Sequence, residues 1–387
     1  MAEPGDAIAA TLGDLVALPS AYPPGDTTAI SDYAARRLRA AGYRVELPCK
    51  MPGIVNVVAR AGRGRPLLAF NAHSDTVGVG DVSLWRSDPF RAVLADGRLT
   101  GLGAANCKGA MAAQLHLAES VAALGGPRRG EIAFTFTGDE ERLGPDGMQH
   151  LRDAGLRPDM LVLGGPTALD LIVEERGVLW ARLTATGRAA HAGEPIAGDN
   201  AIDRLLRLIR AIDSGLQVRL PARAKGRLRS TVSLGRIAGG ANTNVVPDQA
   251  WAEFDRRLLP SERVAEAFAE LGELAAMANE PTASWRLELL TGSNGFAAPR
   301  NGPCVSAFRQ AIEQALGRPA RFLDAVGVSD GRWFAEDGIE ILSFGPGEGA
   351  QGHAANESVA IPQLAEAHAI QLAVVERLLG LGAGVAT

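Results

Sequence analysis

A histidine and an aspartate that follow an apolar run near the start of the chain have the spacing of a metal site. His73 and Asp75 come directly after the strand-like run Leu67 to Asn71. Side chains two residues apart on a strand point to the same side, so Asp75 is placed to hold the His73 imidazole in its metal-binding tautomer. A His-x-Asp pair alone is more often an ordinary surface pair, so it needs support from other motifs.

Two adjacent glutamates follow a second apolar run. Ile132 to Thr137 leads directly into Gly138-Asp139-Glu140-Glu141. Consecutive carboxylates at a strand end are costly unless a cation or a proton is nearby. One such carboxylate can ligate a metal while the other takes a proton from metal-bound water. The alternative interpretation is an acidic loop without a chemical role.

A glycine-rich segment lies between these two motifs and ends in Asn106-Cys107-Lys108-Gly109. Glycines permit a tight connection from a strand to a helix, at which the side chain of Asn106 is presented. The neighbouring Cys107 would be a strong zinc ligand as a thiolate. A cysteine packed in the core is the simpler interpretation.

The elements around these motifs predict an α/β fold that a smaller domain interrupts. Short apolar runs such as Ile54 to Val58 alternate with helical patterns such as Lys108 to Leu124, which is typical of buried strands in an α/β sheet. Between Val178 and Leu290 the predicted order is strand, helix, strand, strand, helix, strand. This is the order of a ferredoxin-like α+β domain.

The predicted domain limits follow from this order. We expect a discontinuous catalytic α/β domain of residues 1–175 and 293–387. The inserted domain comprises residues 176–292.

Composition excludes several classes of protein. The chain has 387 residues, of which 47% are hydrophobic and 21% charged, as in a soluble globular protein with two domains. A net charge of -5 gives no reason to expect a nucleic acid or a membrane surface as partner. The first residues lack the pattern of a signal peptide, and no run approaches about 18 apolar residues, so a cytoplasmic location is expected.

The complete series of motifs resembles one known family. His-x-Asp, Gly-x-Gly-Ala-x-x-x-Lys-Gly, Asp-Glu-Glu, Gly-Arg-x-x-His and a late Gly-His occur in this order. The series is similar to that of the dizinc metallopeptidases and amidohydrolases, which include acetylornithine deacetylase, succinyl-diaminopimelate desuccinylase, aminoacylase and glutamate carboxypeptidase. The resemblance spans about residue 10 to about residue 380. It implies a zinc-peptidase-like catalytic domain whose inserted domain is a lid that also forms a dimer.

The resemblance implies roles for residues of the catalytic domain. It matches His73, Glu141 and His353 to zinc ligands, and Asp75 to the partner of the His73 ring. It matches Glu140 to the general base. These roles imply zinc as the cofactor and hydrolysis of an amide bond as the reaction.

The resemblance also implies roles for the inserted domain. His191 matches a residue that steadies the oxyanion, and Asn244 and Arg257 match residues that hold a substrate carboxylate. A guanidinium offers a carboxylate two parallel donors, so the role of Arg257 is chemically sensible. Residues 327–334 and 345–347 match segments that line the pocket. The implied partners are a small amino-acid-derived substrate and a second copy of the chain, bound through the lid.

Two positions depart from the family pattern. Asn106 stands where the family carries the aspartate that bridges both metals, and Gly165 stands where it carries the carboxylate of the first zinc site. An intact site offers two histidines and three carboxylates to two ions, whereas this chain keeps the histidines and Glu141. An amide oxygen is neutral, and zinc takes three or four good protein ligands. We therefore expect one zinc ion or none rather than two, with Asn106 as a doubtful ligand.

Three functions remain open from the sequence. The first is hydrolysis of the amide bond of an N-acyl amino acid or small peptide that bears a free carboxylate, with a single or weakly held metal. The second is a metal-independent enzyme of the same fold, in which Glu140 acts as acid or base in an elimination, isomerisation, cyclisation or acyl transfer. The third is a non-catalytic binding protein that keeps the carboxylate clamp.

Overall fold

The computed structural model describes residues 4–325 and 327–382, and most of its elements follow the apolar runs of the sequence. The helices are α1 (Pro4–Val16), α2 (Thr28–Ala40), α3 (Lys108–Ala123), α4 (Met148–Asp153), α5 (Ala201–Arg219), α6 (Val264–Ala276), α7 (Pro303–Leu316) and α8 (Ile361–Leu379). The strands are β1 (Arg44–Glu46), β2 (Val57–Gly62), β3 (Leu67–His73), β4 (Val93–Ala95), β5 (Arg98–Thr100), β6 (Glu131–Thr137), β7 (Met160–Leu163), β8 (Leu171–Ile172), β9 (Glu174–Glu175), β10 (Gly177–Thr186), β11 (Ala224–Lys225), β12 (Leu228–Arg229), β13 (Thr231–Gly239), β14 (Gln249–Leu258), β15 (Trp285–Ser293), β16 (Phe296–Ala297), β17 (Phe322–Leu323), β18 (Glu340–Ser343) and β19 (Ser358–Ala360).

The chain folds as two units, each with its own hydrophobic core. Taking the described residues of each range, unit 1 comprises Met1–Val173, Ala298–Leu323 and Ser329–Thr387. Unit 2 comprises Glu174–Ala297 and Asp324–Val328. The second unit is therefore inserted into the first.

An eight-stranded sheet lies at the centre of unit 1. Its order is β1-β2-β6-β3-β7-β18-β8-β17, and the neighbours β6, β3, β7 and β18 run parallel. All seven residues of β3 are buried, because α3 packs against this strand in the core. A strand buried on both faces is apolar at nearly every position, which explains the continuous runs in the sequence. Parallel strands also end at the same edge of the sheet, so the residues after β3, β6 and β7 come together there.

The sequence predicts a strand at residues 54–58, but β2 begins three residues later, at Val57. The backbone of Val55 is engaged by side chains at the start of α2. The Thr27 and Ser31 hydroxyls donate to the Val55 carbonyl at 2.8 and 2.6 Å, and the Val55 N–H donates to Thr27 Oγ1 at 2.9 Å. The hydroxyls of Thr27 and Ser31 therefore bind the backbone groups of Val55 that a neighbouring strand would otherwise bind.

Unit 2 has the predicted ferredoxin-like architecture, so the predicted fold class is confirmed. Its main sheet is antiparallel in the order β13-β14-β10-β15, and α5 and α6 pack against it. Every second residue of β14 is buried, and Arg256 is the charged member of this row. The Arg256 guanidinium donates to Glu270 at 3.0 Å. Among the described residues, every helix is too short or too polar to cross a lipid bilayer.

Two partly buried histidines, His116 on α3 and His368 on α8, form hydrogen bonds between helices of unit 1. His116 Nε2 lies 2.8 Å from Thr11 Oγ1, and His368 Nε2 lies 2.9 Å from Ser120 Oγ. Burial lowers the pKa of both histidines, and the nearby Arg37 lowers the pKa of His116 further, against the opposing charge of Glu119. The unfolded chain therefore binds protons that the folded chain does not. Their contribution to stability is present above about pH 6.5 and is lost as the pH falls through the folded pKa values.

We predict that His116 and His368 contribute a decrease in the free energy of unfolding between about pH 7.5 and about pH 5, where their imidazoles become protonated in the unfolded chain. In the double variant His116→Gln/His368→Gln this decrease is smaller, because glutamine keeps polar contacts but does not titrate. Urea unfolding midpoints of both proteins at both pH values measure the effect. An equal pH dependence in the variant and the parent protein would contradict it.

Candidate active site

The ends of two parallel strands bring the first two motifs together. His73 is the last residue of β3 and pairs in register with Thr137, the last residue of β6. Glu140 and Glu141 follow shortly after Thr137. One possible ligand atom from each of His73, Glu140 and Glu141 lies within 4.8 Å of the others. Imidazole and carboxylate groups are ligands that zinc accepts, so this cluster is a candidate metal centre.

The His73 ring is held from behind by Asp75. His73 Nδ1 lies 2.9 Å from the backbone carbonyl oxygen of Asp75, and a carbonyl only accepts, so Nδ1 carries the hydrogen. In the neutral ring, Nε2 then carries the lone pair and is the nitrogen that can bind a cation. The expected contact with the Asp75 carboxylate is longer, at 3.6 Å. That carboxylate instead accepts the Glu141 N–H at 3.1 Å and so ties the two motifs together.

Asn106 lies among the candidate ligands. Its Nδ2 is 3.2 Å from Glu141 Oε1 and 3.0 Å from His353 Nε2, and its Oδ1 is 3.4 Å from His73 Nε2. His353 Nε2 is itself 3.0 Å from Glu141 Oε1, and this carboxylate raises the pKa of His353. Three residues predicted as ligands, His73, Glu141 and His353, therefore surround a neutral amide.

The turn that carries Asn106 is anchored by a residue that the sequence analysis missed. Glu357 is buried and accepts the backbone N–H groups of Gly103, Ala105 and Asn106, the last two at 3.3 Å. A carboxylate that accepts several N–H groups fixes a turn firmly. A single glutamate has no periodic pattern that would reveal this contact across the chain. Its place four residues after His353 was the available signal.

Glu140 has the environment of an acid or base. Burial raises the pKa of Glu140 to about 8; the neighbouring His73 lowers it, and the charge of Asp330 raises it. Asp330 is also buried, which raises its own pKa, and it accepts the Thr137 hydroxyl at 2.9 Å. A carboxyl group with such a pKa takes up and releases protons near neutral pH. The sequence placed Asp330 only within a segment that lines the pocket.

Cys107 is a packed core residue. It is fully buried, its thiol donates to the Gly164 carbonyl at 3.3 Å, and burial raises its pKa to about 11. In the metal-free chain a thiol with this pKa is protonated at neutral pH. The simpler interpretation of this cysteine therefore fits its surroundings.

Unit 2 brings His191 and Asn244 onto neighbouring segments. The Val246 N–H donates to the Ala190 carbonyl at 2.8 Å, and the Ala192 N–H donates to the Asn244 carbonyl at 3.0 Å. The His191 ring accepts the Gly193 N–H on Nδ1 at 3.0 Å. In a neutral imidazole with Nδ1 as acceptor, Nε2 carries the hydrogen. His191 is thus set as a hydrogen-bond donor.

Arg257 lies on β14, away from the helix-covered side of the sheet of unit 2. Its guanidinium donates to both carboxylate oxygens of Asp255, at 2.8 and 3.1 Å. Residues two positions apart on a strand face the same side, so the pairing of Arg257 with Asp255 could have been predicted from the sequence. Asp255 therefore competes with any substrate carboxylate for the donors of Arg257.

Comparison with known proteins agrees with these features. The model of peptidase family M20/M25/M40 matches residues 69–377. A succinyl-diaminopimelate desuccinylase from Rhodospirillum centenum is 34% identical over 379 residues, which cover 94% of this chain and 95% of that relative. A second one, from Bordetella pertussis, is 30% identical and covers 95% of this chain and 96% of its own.

Solved structures show the same fold. An M20-family metallo-carboxypeptidase from Sulfolobus solfataricus superposes with a TM-score of 0.77 at 16% identity, covering 98% of this chain and 100% of its own. A dinuclear metal-binding M20 peptidase from Bacillus subtilis gives a TM-score of 0.71 at 18% identity, covering 97% and 98%. The family match, the sequence relatives and the shared fold lead to one conclusion: this chain is a member of peptidase family M20/M25/M40.

Proposed function

We propose that the protein is a zinc-dependent hydrolase of the amide bond in N-acyl amino acids or small peptides that bear a free carboxylate. The observation that carries the proposal is the convergence of His73, Glu140 and Glu141 at the end of β3 and β6. The relatives are named as desuccinylases, which supports a deacylating enzyme. Their names support neither a metal-independent reaction nor a binding protein. N-succinyl amino acids are therefore the first substrates to test.

The donor set supports one zinc ion. His73, His353 and Glu141 supply two imidazoles and one carboxylate, a combination that holds the single catalytic zinc of other hydrolases. A second ion would need carboxylates at positions where Asn106 offers a neutral amide and Gly165 has no side chain. The two missing carboxylates would carry two negative charges, which equal the charge of one zinc ion. Loss of both carboxylates together with one ion leaves the net charge of the site unchanged.

Each residue of the proposed site has its own role in the reaction. A zinc ion, when bound, polarises the amide carbonyl and lowers the pKa of water. Glu140 takes the proton of the attacking water and delivers it to the nitrogen of the leaving amine. Asp75 keeps the His73 ring oriented through its backbone carbonyl. We assign His191 to the oxyanion, and Asn244 and Arg257 to the substrate carboxylate, as the resemblance implies.

We also propose that the protein is a homodimer formed through unit 2. The strand β13 is an edge strand, and most of its residues are exposed, including Leu234 at 43% and Ile237 at 51%. A long exposed edge with apolar side chains favours pairing with another chain. Sedimentation velocity of the purified protein tests this: a monomer at micromolar concentration would exclude the dimer.

We predict that Glu140→Gln lowers the turnover of N-succinyl amino acids by about 100-fold to about 10,000-fold, because glutamine cannot take up a proton. The variant retains His73, Glu141 and His353, the zinc ligands of the proposal. Release of the free amine and zinc content are measured on the same preparations. Full activity in the variant, or no hydrolysis by the zinc-loaded parent protein, would refute the proposed function.

We predict that Asn106→Asp binds zinc about tenfold more tightly or better, because it adds a negative charge beside His73, Glu141 and His353. Asn106→Ala is the matched control, since it removes the amide without adding charge. Competition with a chromophoric chelator measures both affinities. If aspartate and alanine have the same effect, charge at this position does not control the metal.

A further inference from the structure

Gly165 lies beside His73 at the edge of the unit 1 sheet. The parallel strands β3 and β7 pair as far as Asn71 and Leu163, and the Gly164 N–H donates to the Asn71 carbonyl at 2.6 Å. His73 and Gly165 are each two residues further along. A side chain at position 165 would therefore point to the same side of the sheet as the His73 ring.

The space over Gly165 is open, unlike that over the neighbouring glycines. A Cβ atom on Gly165 would meet no described heavy atom within 4 Å. A Cβ on Gly164 would lie 2.7 Å from Ala110 Cβ, and one on Gly345 would lie 2.6 Å from the Gly165 oxygen. Close packing explains those two glycines but not Gly165. Its φ angle is also outside the left-handed region, so the backbone does not require glycine there.

The proposed metal centre leaves a place for an anion next to this space. Its three protein ligands, His73, His353 and Glu141, carry one negative charge against the two positive charges of zinc. A zinc ion with three protein ligands keeps its fourth position for water or substrate. An anionic group of the ligand beside His73 would reduce the remaining positive charge.

We propose that the open space over Gly165 is a subsite for a carboxylate of the substrate's acyl group. The inference rests on the proposed function and names its substrate class, acyl groups derived from a dicarboxylic acid. In a succinyl group, two methylenes separate the carboxylate from the amide carbonyl, so both ends can lie close to one ion. Arg257 is assigned to the carboxylate of the amino acid, so the subsite takes a different carboxylate of the substrate.

Zinc affinity measured with and without succinate tests the subsite without relying on turnover. We expect zinc to bind at least tenfold more tightly with saturating succinate, whereas succinamide, its neutral analogue, has no effect. Gly165→Ala keeps this coupling, because a methyl group leaves most of the space open. Gly165→Leu loses it by filling the space. Gly165→Glu binds zinc more tightly without succinate and gains nothing from it.

The outcomes separate this inference from the proposed function. Zinc binding without any effect of succinate overturns the subsite and leaves the hydrolase intact. An equal effect of succinamide, or an unchanged succinate effect in Gly165→Leu, also overturns it. Absence of zinc binding under every condition overturns the proposed function itself, and the subsite with it. Thermal unfolding of each variant shows whether it is folded. If Gly165→Leu is not folded, the Gly165→Ala and Gly165→Glu results decide whether the subsite exists.

Discussion

Buried negative charge at one edge of the unit 1 sheet is the constraint on which the site depends. Asp75, Glu140 and Asp330 are each 9% exposed or less, and Glu141 lies beside them. Carboxylates in such surroundings are stable only with protons, hydrogen bonds or cations nearby. The pKa values of Glu140 and Asp330 are raised because the protein's own hydrogen bonds and positive charges offset only part of the cost of burying these carboxylates. A bound cation would complete the balance.

The two departures from the family pattern act in the same direction on this balance. Asn106 and Gly165 each remove a negative charge without adding a positive one. Glu141 and His353 remain in contact with each other, and Asn106 lies between them and His73. In the proposed function, the retained residues hold one ion and Glu140 acts as the base. This view treats the chain as a simplified hydrolase rather than a damaged one.

The sequence predicted those parts of the fold that local patterns control. The strands β3, β6 and β7 are buried on both faces, so their apolar runs and the motifs at their ends were visible. The start of β2 was displaced because the hydroxyls of Thr27 and Ser31 bind the backbone of Val55, and no periodicity encodes such contacts. Glu357 and Asp330 were missed for a related reason. Their partners lie far away in the sequence, so only folding brings them to Asn106 and Thr137.

The metal stoichiometry of the purified protein tests the central claim most directly. The protein is stripped with a chelator, loaded with excess zinc, freed of unbound metal, and assayed for bound zinc and protein. The proposed one-ion centre of His73, Glu141 and His353 predicts about one equivalent of zinc per chain. Two equivalents would mean that Asn106 and Gly165 do not prevent a dinuclear site. A zinc-free protein would contradict the metal centre altogether.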